Sequence, residues 1–217
     1  MGPDLVSRGR RLLFISPVMP AEAGNGLAMR AGLFLEALAA DHEVWLLVVP
    51  VSGPADESVI PEFVSRLTVR AVVLRLEGKT DTLFRLISRL KDPAERAGAL
   101  AAYPKPLLCR FATTASLEEA AARFAGCGFD VVHVFRLYMA PFAGPFLRPA
   151  GRRGAPVSLL DLDDDEPRTH ERLAALHTLR GETEAAALEA READKYARLE
   201  REHLPRFDRV LVCSEAD

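Results

Sequence analysis

The sequence predicts an α/β fold, a three-layer domain whose mostly parallel sheet is covered by helices on both faces. Three observations predict it. Short apolar runs of strand length alternate with helical patterns along the 217 residues, the arrangement that builds a parallel sheet. The runs LLFI (12–15), EVWLLVV (43–49), DVVHVF (130–135), PVSLL (156–160) and RVLVC (209–213) read as buried strands. Finally, the chain opens with a strand, a glycine-containing turn and a helix, the first unit of such a domain.

Residues 12–15 form the first strand, bounded by basic residues before and by Ser16-Pro17 after. The Gly24-Asn25-Gly26 turn leads into a helix. Leu27, Ala31, Phe34, Leu35 and Leu38 share one of its faces at steps of three and four. Residues 43–49 are the second strand, stopped by Pro50, and 51–60 are turn-rich. The third strand is expected at 69–76, with Arg70 and Arg75 outward. Leu83, Leu86, Ile87 and Leu90 have helical spacing. Asp92-Pro93-Ala94-Glu95 starts the next helix, with Asp as N-cap and Pro at the first helical position. Residues 103–106 are irregular. Ser116-Leu117-Glu118-Glu119 reads as a capping box opening a helix to Phe124, closed by Gly126 or Gly128.

The strand at 130–135 comes next, and Pro141 and Pro145 interrupt a short helix or turn at 138–146. The strand at 156–160 runs into the acidic stretch Asp161-Leu162-Asp163-Asp164-Asp165-Glu166. A helix at 168–179 and a long charged helix at 182–203 follow. The latter's thin stripe (Ala185, Leu188, Tyr196, Leu199) leaves most of it facing water. Residues 209–213 are the last strand. Ligands of such sheets bind beyond the carboxyl ends of the strands. That rule gathers residues 16–30, 135–138, 161–165 and 213–215 around one crevice.

Composition is that of a soluble globular protein, 49% hydrophobic and 27% charged. Residues 1–150 carry a net +2 and 151–217 a net −5, so no basic face argues for nucleic acid. Cys109, Cys127 and Cys213 form neither a CxxC pair nor a metal spacing; they fit a reducing compartment. No apolar run approaches the roughly 18 residues of a membrane-spanning helix, and the apolar run near the N-terminus is too short for a signal peptide. The expected location is cytoplasmic, with peripheral contact at the inner membrane face left open.

The usual nucleotide signatures fail. The loop has Gly24 and Gly26 but no third glycine for G-x-G-x-x-G, and no Walker A sequence is present. No nucleophile elbow or HExxH occurs. The candidate site residues each have a structural alternative. Gly24, Asn25 and Gly26 with Arg30 can hold phosphates or sugar hydroxyls at a helix N-terminus, or merely shape a turn. His133 is either a crevice residue or a hydrogen-bonded histidine packed in the sheet. Arg136 and Tyr138 are placed to reach solvent at the strand tip, Arg136 either pairing an anion or lying idle at the surface. Asp161 and Asp163 either bind a divalent metal or belong to an acidic run that is solvated and complements the next helix.

In this order the segments resemble the N-terminal half of a GT-B glycosyltransferase of the retaining family 4. RLLFISPVMP with GNGLAMR is similar to that family's first strand and glycine-rich loop, with Arg30 at its following arginine. FLEALAADHEVWLLV, DVVHVF, PVSLLDLDDDEP and YARLEREHLPRFDRVLVCSEAD resemble the later helices and strands, ending on the family's Ser-Glu-x-Asp at Ser214-Glu215-Ala216-Asp217. The resemblance implies one Rossmann-like acceptor-binding domain over residues 1–217, the N-terminal half of a GT-B architecture. The nucleotide-sugar-binding domain would lie outside this chain, so the chain is expected to be inactive alone, whether part of a longer protein or one component of a split enzyme.

The implied activity is transfer of a hexose-type sugar, with retention, from a nucleotide-sugar to a hydroxyl of a glycan, lipid-linked or small-molecule acceptor. No cofactor or metal is implied, the nucleotide-sugar being a substrate. The implied substrate-binding residues are Gly24, Asn25, Gly26, Arg30, His133, Arg136, Tyr138, Asp163, Ser214 and Glu215, with specificity in loops 51–62, 77–82 and 103–115. The family's D-x-x-H-x-H is broken here, because Phe135 stands at the second histidine. Asp161-Leu162-Asp163 also spells the D-x-D of the metal-dependent GT-A fold, but it is short where the GT-B likeness is long. The contrasting expectation is a non-catalytic Rossmann-like module for a phosphorylated ligand or a protein partner.

Overall fold

A computed structural model describes residues 9–52, 58–147 and 154–212. Its centre is a six-stranded, wholly parallel sheet of order β3-β2-β1-β4-β5-β6. The strands are β1 (Arg11–Ser16), β2 (Glu43–Val48), β3 (Arg70–Val73), β4 (Val131–Phe135), β5 (Val157–Asp161) and β6 (Arg209–Leu211). The chain builds outward from β1 to β3, then returns to the other side of β1 for β4 and continues outward to β6. The sheet therefore changes direction between β1 and β4, where neighbouring loops diverge and leave a crevice at the carboxyl ends. The three-layer Rossmann-like architecture read from the sequence is the observed one.

Alternate residues of β1 serve two cores. Leu12 and Phe14 pack beneath α1 (Gly26–Asp41) and α2 (Glu62–Leu67), meeting Ala31, Leu35, Phe63 and Val64. Leu13 and Ile15 face a second layer with Phe124, Phe142, Tyr196 and Leu199. Both faces being covered, the central strands carry aliphatic residues at nearly every position. Between β3 and β4 lie α3 (Thr82–Ile87), α4 (Pro93–Ala102) and α5 (Thr114–Arg123). The short α6 (Ala140–Ala143) follows β4, and α7 (Glu166–Leu179) and α8 (Thr183–His203) follow β5. The last two pack chiefly on each other.

Two side-chain clamps align the strand ends. Asp130 accepts from the Arg11 N–H at 2.9 Å, joining β1 to the start of β4. Asp208 accepts from the Ser158 N–H at 2.8 Å and hydroxyl at 2.9 Å, fixing β6 against β5. Those Ser158 bonds also hold the Asp208 carboxyl below the usual carboxylate range.

Several boundaries differ from the sequence reading. The capping box at Ser116 is not the helix start. Thr113 is the N-cap and accepts from the Ser116 N–H at 3.2 Å, so α5 begins three residues earlier and Ser116 is buried. The third strand is shorter than 69–76, and the helix expected from Thr80 to Leu90 shrinks to α3, of whose apolar residues only Ile87 is buried. Helix α2 was not foreseen, because 51–62 read as loop. Of the stripe expected on α8, Tyr196 and Leu199 are buried and Leu188 is exposed; Ala193 and Lys195 join the buried residues of the C-terminal half. The capping by Asp92 is as expected, its carboxylate accepting from the Ala94 and Glu95 N–H groups. Strand β6 spans Arg209–Leu211, and Cys213, Ser214 and Glu215 lie outside the described residues.

One glycine fixes how the first loop lies on α1. A Cβ at Gly32 would come within 2.3 Å of the Ala21 carbonyl oxygen, and the Ala21 N–H donates to the Ala28 carbonyl at 3.0 Å. Helix propensity favours alanine over glycine by about 1 kcal/mol, but here the backbone blocks it. Gly32→Ala should destabilise by about 1–3 kcal/mol, the usual cost of overpacking, as measured by urea unfolding; a gain in stability would mean that the loop does not rest there.

Candidate functional site

The crevice between β1 and β4 is filled by an ion network. Arg136 follows β4 immediately and adopts φ +80°. Its N–H donates to the Asp161 carbonyl at 2.7 Å, tying the end of β4 to the end of β5. Its guanidinium contacts Asp163 at 2.8 Å and Asp164 at 2.7 Å, and lies 3.6 Å from Glu166. Arg30, one turn into α1, pairs through Nε with the other oxygen of Asp163. One carboxylate thus bridges two guanidinium groups from opposite sides of the switch point. Asp163 itself has φ +62°. A positive φ is costly for arginine, whereas aspartate adopts it more readily, and the network holds the two residues against each other.

Exposure grades the network. The side chains of Arg136 and Asp163 are 14% and 9% exposed, whereas those of Arg30 and Asp164 are 43% and 59% exposed. The inner pair therefore holds a donor and an acceptor that face solvent. Asp161 is buried; its burial raises its carboxyl pKa, with Arg30 opposing. Glu166, at the head of α7, is also buried. Neither of its oxygens meets a hydrogen-bond partner among the described residues. Burial pushes its carboxyl up to about 8 although Arg136 pulls it down. A carboxyl that changes charge near neutral pH beside a crevice is a recognised mark of functional sites.

The acidic run thus divides its work. Asp165 caps α7, accepting from the Arg168 N–H at 2.9 Å, and Asp164 is largely solvated. Asp163 belongs to neither expected structural class, because arginines offset its charge. The metal reading of Asp161 and Asp163 would have to compete with those two guanidinium groups, and no metal-holding cluster of three His, Cys, Asp or Glu occurs among the described residues.

Other expected site residues sit elsewhere. Tyr138 is buried, not at the solvent tip, and burial raises its hydroxyl pKa with Ser52 opposing. Arg136 is likewise drawn inward by the carboxylates rather than left at the surface. His133 does not reach the crevice. Its ring centroid lies 5.4 Å from that of Phe14 and 5.3 Å from that of Phe34, its Nε2 has no partner among the described residues, and burial pushes its pKa down to about 4. It is a packed histidine, as one reading held, but Nε2 lacks the expected hydrogen bond. Phe135 is fully buried and packs on Phe34 at 5.4 Å. The D-x-x-H-x-F segment therefore ends in an aromatic plug beneath α1.

The loop residues are exposed. Asn25 accepts from the Ala28 N–H at 2.9 Å, occupying one of the helix-end donors an anion would use. Gly24 needs its glycine for φ +119°, while Gly26 has only open space around it. Ser214 and Glu215 lie outside the described residues. Sequence reasoning missed Asp164 and Glu166 as partners of Arg136. The available signal was an arginine at one strand tip facing an acidic run at the next.

No helix among the described residues is long and apolar enough to cross a membrane. No protein-family model and no curated protein matches the chain.

Proposed function

We propose that this chain is the acceptor-binding domain of a retaining glycosyltransferase of GT-B architecture, acting on a polyhydroxylated acceptor. The observation that carries the reading is the conformationally strained Arg136 paired with Asp163 at the switch point. Such strain persists where surrounding structure enforces it, and it concentrates at binding and catalytic sites. The pair holds two more exposed groups, Arg30 through Asp163 and Asp164 through Arg136. A guanidinium and a carboxylate in that arrangement donate to and accept from neighbouring sugar hydroxyls. In transfer, the acceptor oxygen forms the new bond to the anomeric carbon, the bond to the nucleoside diphosphate breaks, and the hydroxyl proton passes to the departing diphosphate. Arg30 faces the developing charge, and the nucleotide-sugar is held by a second domain.

The test has two arms. Saturation-transfer NMR on this chain with a panel of saccharides should show contacts that Asp164→Ala removes. In the protein joined to its nucleotide-sugar domain, Arg30→Ala should slow transfer by about 100-fold, the scale on which removing a positioned charge acts. Saccharide binding without transfer in the joined protein would favour the non-catalytic module. An unchanged rate would remove Arg30 from the mechanism.

A further inference from the structure

A second cavity, of about 410 Å³, opens on the sheet face opposite α1, between the C-terminal end of α8, α6 and the turn at 107–111. It shares no lining residue with the Arg30–Arg136 network. Its size falls within the roughly 300–1,000 Å³ of small-molecule sites. Leu117 and Leu199 give it an apolar wall. Lys105 and Arg206 supply two cations and Glu202 one carboxylate. Lys105 also lies 3.6 Å from Asp81, which does not line the cavity. His203 lines it as well and is buried, with Nε2 3.7 Å from Glu202 and Nδ1 without a partner among the described residues. Burial favours its neutral form, Glu202 opposing and Arg206 assisting. Among the lining side chains cations exceed carboxylates by one at neutral pH, with Asp81 meeting Lys105 from outside the wall. The missing side chain of Gly144 leaves room for Arg206, whose Nη2 is 3.8 Å from where a Cβ there would sit.

The geometry points to a binding site for a small organic carboxylate with a hydrocarbon body. The head lies between Lys105 and Arg206, and the chain rests on Leu117 and Leu199. A single negative charge matches the excess on the wall, where a dianionic phosphate would overshoot it and meet Glu202. The hydrocarbon requirement separates this site from a merely basic surface, which would take any anion equally.

Octanoate is a direct probe, with 1-octanol as the neutral homologue and acetate as the head alone. Titrations of the whole chain, followed by ¹H–¹⁵N NMR, should show octanoate binding about tenfold or more tighter than either control, with shifts clustered at Lys105, Leu117, His203 and Arg206. A tenfold difference corresponds to about 1.4 kcal/mol. Arg206→Ala and Lys105→Ala alter exposed or half-exposed side chains; each should weaken octanoate about tenfold and leave octanol unchanged, with Arg206→Glu abolishing the preference for the acid. Equal binding of octanol and octanoate, no loss in either variant, or shifts confined to other faces would each overturn the assignment. None of these outcomes depends on saccharide binding or transfer.

Discussion

Glu166→Gln is expected to make the protein more stable at pH 8 and to flatten its stability between about pH 6.5 and 8. Glu166 has an ordinary carboxyl in the unfolded chain, near 4.5, and one of about 8 in the folded protein. Below 4.5 both states hold the proton and its contribution is fully present. As pH rises, the unfolded chain releases the proton and the folded protein keeps it, so stability falls until the folded carboxyl itself ionises near 8. The slope of a single such group approaches 1.4 kcal/mol per pH unit. The loss across this window is on the order of 5 kcal/mol as an upper figure, since local relaxation absorbs part of it.

Glutamine keeps the shape and cannot ionise. The variant should match the parent within about 1 kcal/mol at pH 5 and exceed it by roughly 2–4 kcal/mol at pH 8, in urea titrations at fixed ionic strength. An unchanged slope above pH 5 would show that Glu166 is not the group responsible. The acid side must stay as it was, because His133 acts there with the opposite sign. Its folded value of about 4 lies below its ordinary 6.5, so its contribution is complete above 6.5 and is lost as pH falls toward 4. A variant that altered both limbs would point to a general loosening of the sheet.

These two titrating groups also show where sequence reading succeeds and where it stops. His133 lies in a run of aliphatic residues whose period and length already spell a buried strand, and a buried strand fixes most of what surrounds it. The strands β1, β2, β4 and β5 and the parallel sheet were legible for the same reason, because burial on both faces writes itself as continuous aliphatic runs. Short elements were less legible. Helix α3 buries only Ile87, so the spacing of Leu83 and Leu86 reported an amphipathic pattern with no core behind it. The start of α5 was misread because Thr113 and Ser116 are both competent N-caps three residues apart, and local sequence does not choose between them. Among site residues, Arg30, Arg136 and Asp163 were named singly from their positions at strand and helix ends. Their mutual pairing was not, because it depends on β4 and β5 being neighbours and on two residues adopting positive φ, neither of which has a local signature.

The largest loss of stability is expected from Arg136→Ala. The guanidinium touches Asp163 and Asp164 and lies near Glu166, so its removal takes one of two arginines from Asp163 and the paired cation from Glu166. Deleting one partner of a buried ion pair costs about 3–5 kcal/mol. Asp164 is largely exposed and adds little of this, while the buried Asp163 and Glu166 carry most of it. The backbone provides an internal control. Alanine keeps the strained φ +80°, whereas glycine adopts it freely, so Arg136→Gly should be about 1 kcal/mol more stable than Arg136→Ala despite glycine's usual entropic cost. Arg136→Lys should fall between Arg136→Ala and the parent, keeping the charge but losing the planar fork that meets two carboxylates at once. The couplings separate an ion network from simple packing. Without Arg136 the Glu166 carboxyl loses the charge that holds it down and its titration moves to higher pH. Glu166→Gln should then recover about 1 kcal/mol or more of extra stability at pH 9.5 in the Arg136→Ala background compared with the parent, a non-additivity expected only of interacting residues. If the two substitutions add independently and Arg136→Ala costs under 1 kcal/mol, the strained turn after β4 is held by its backbone bond to Asp161, and the network plays no part in shaping the crevice.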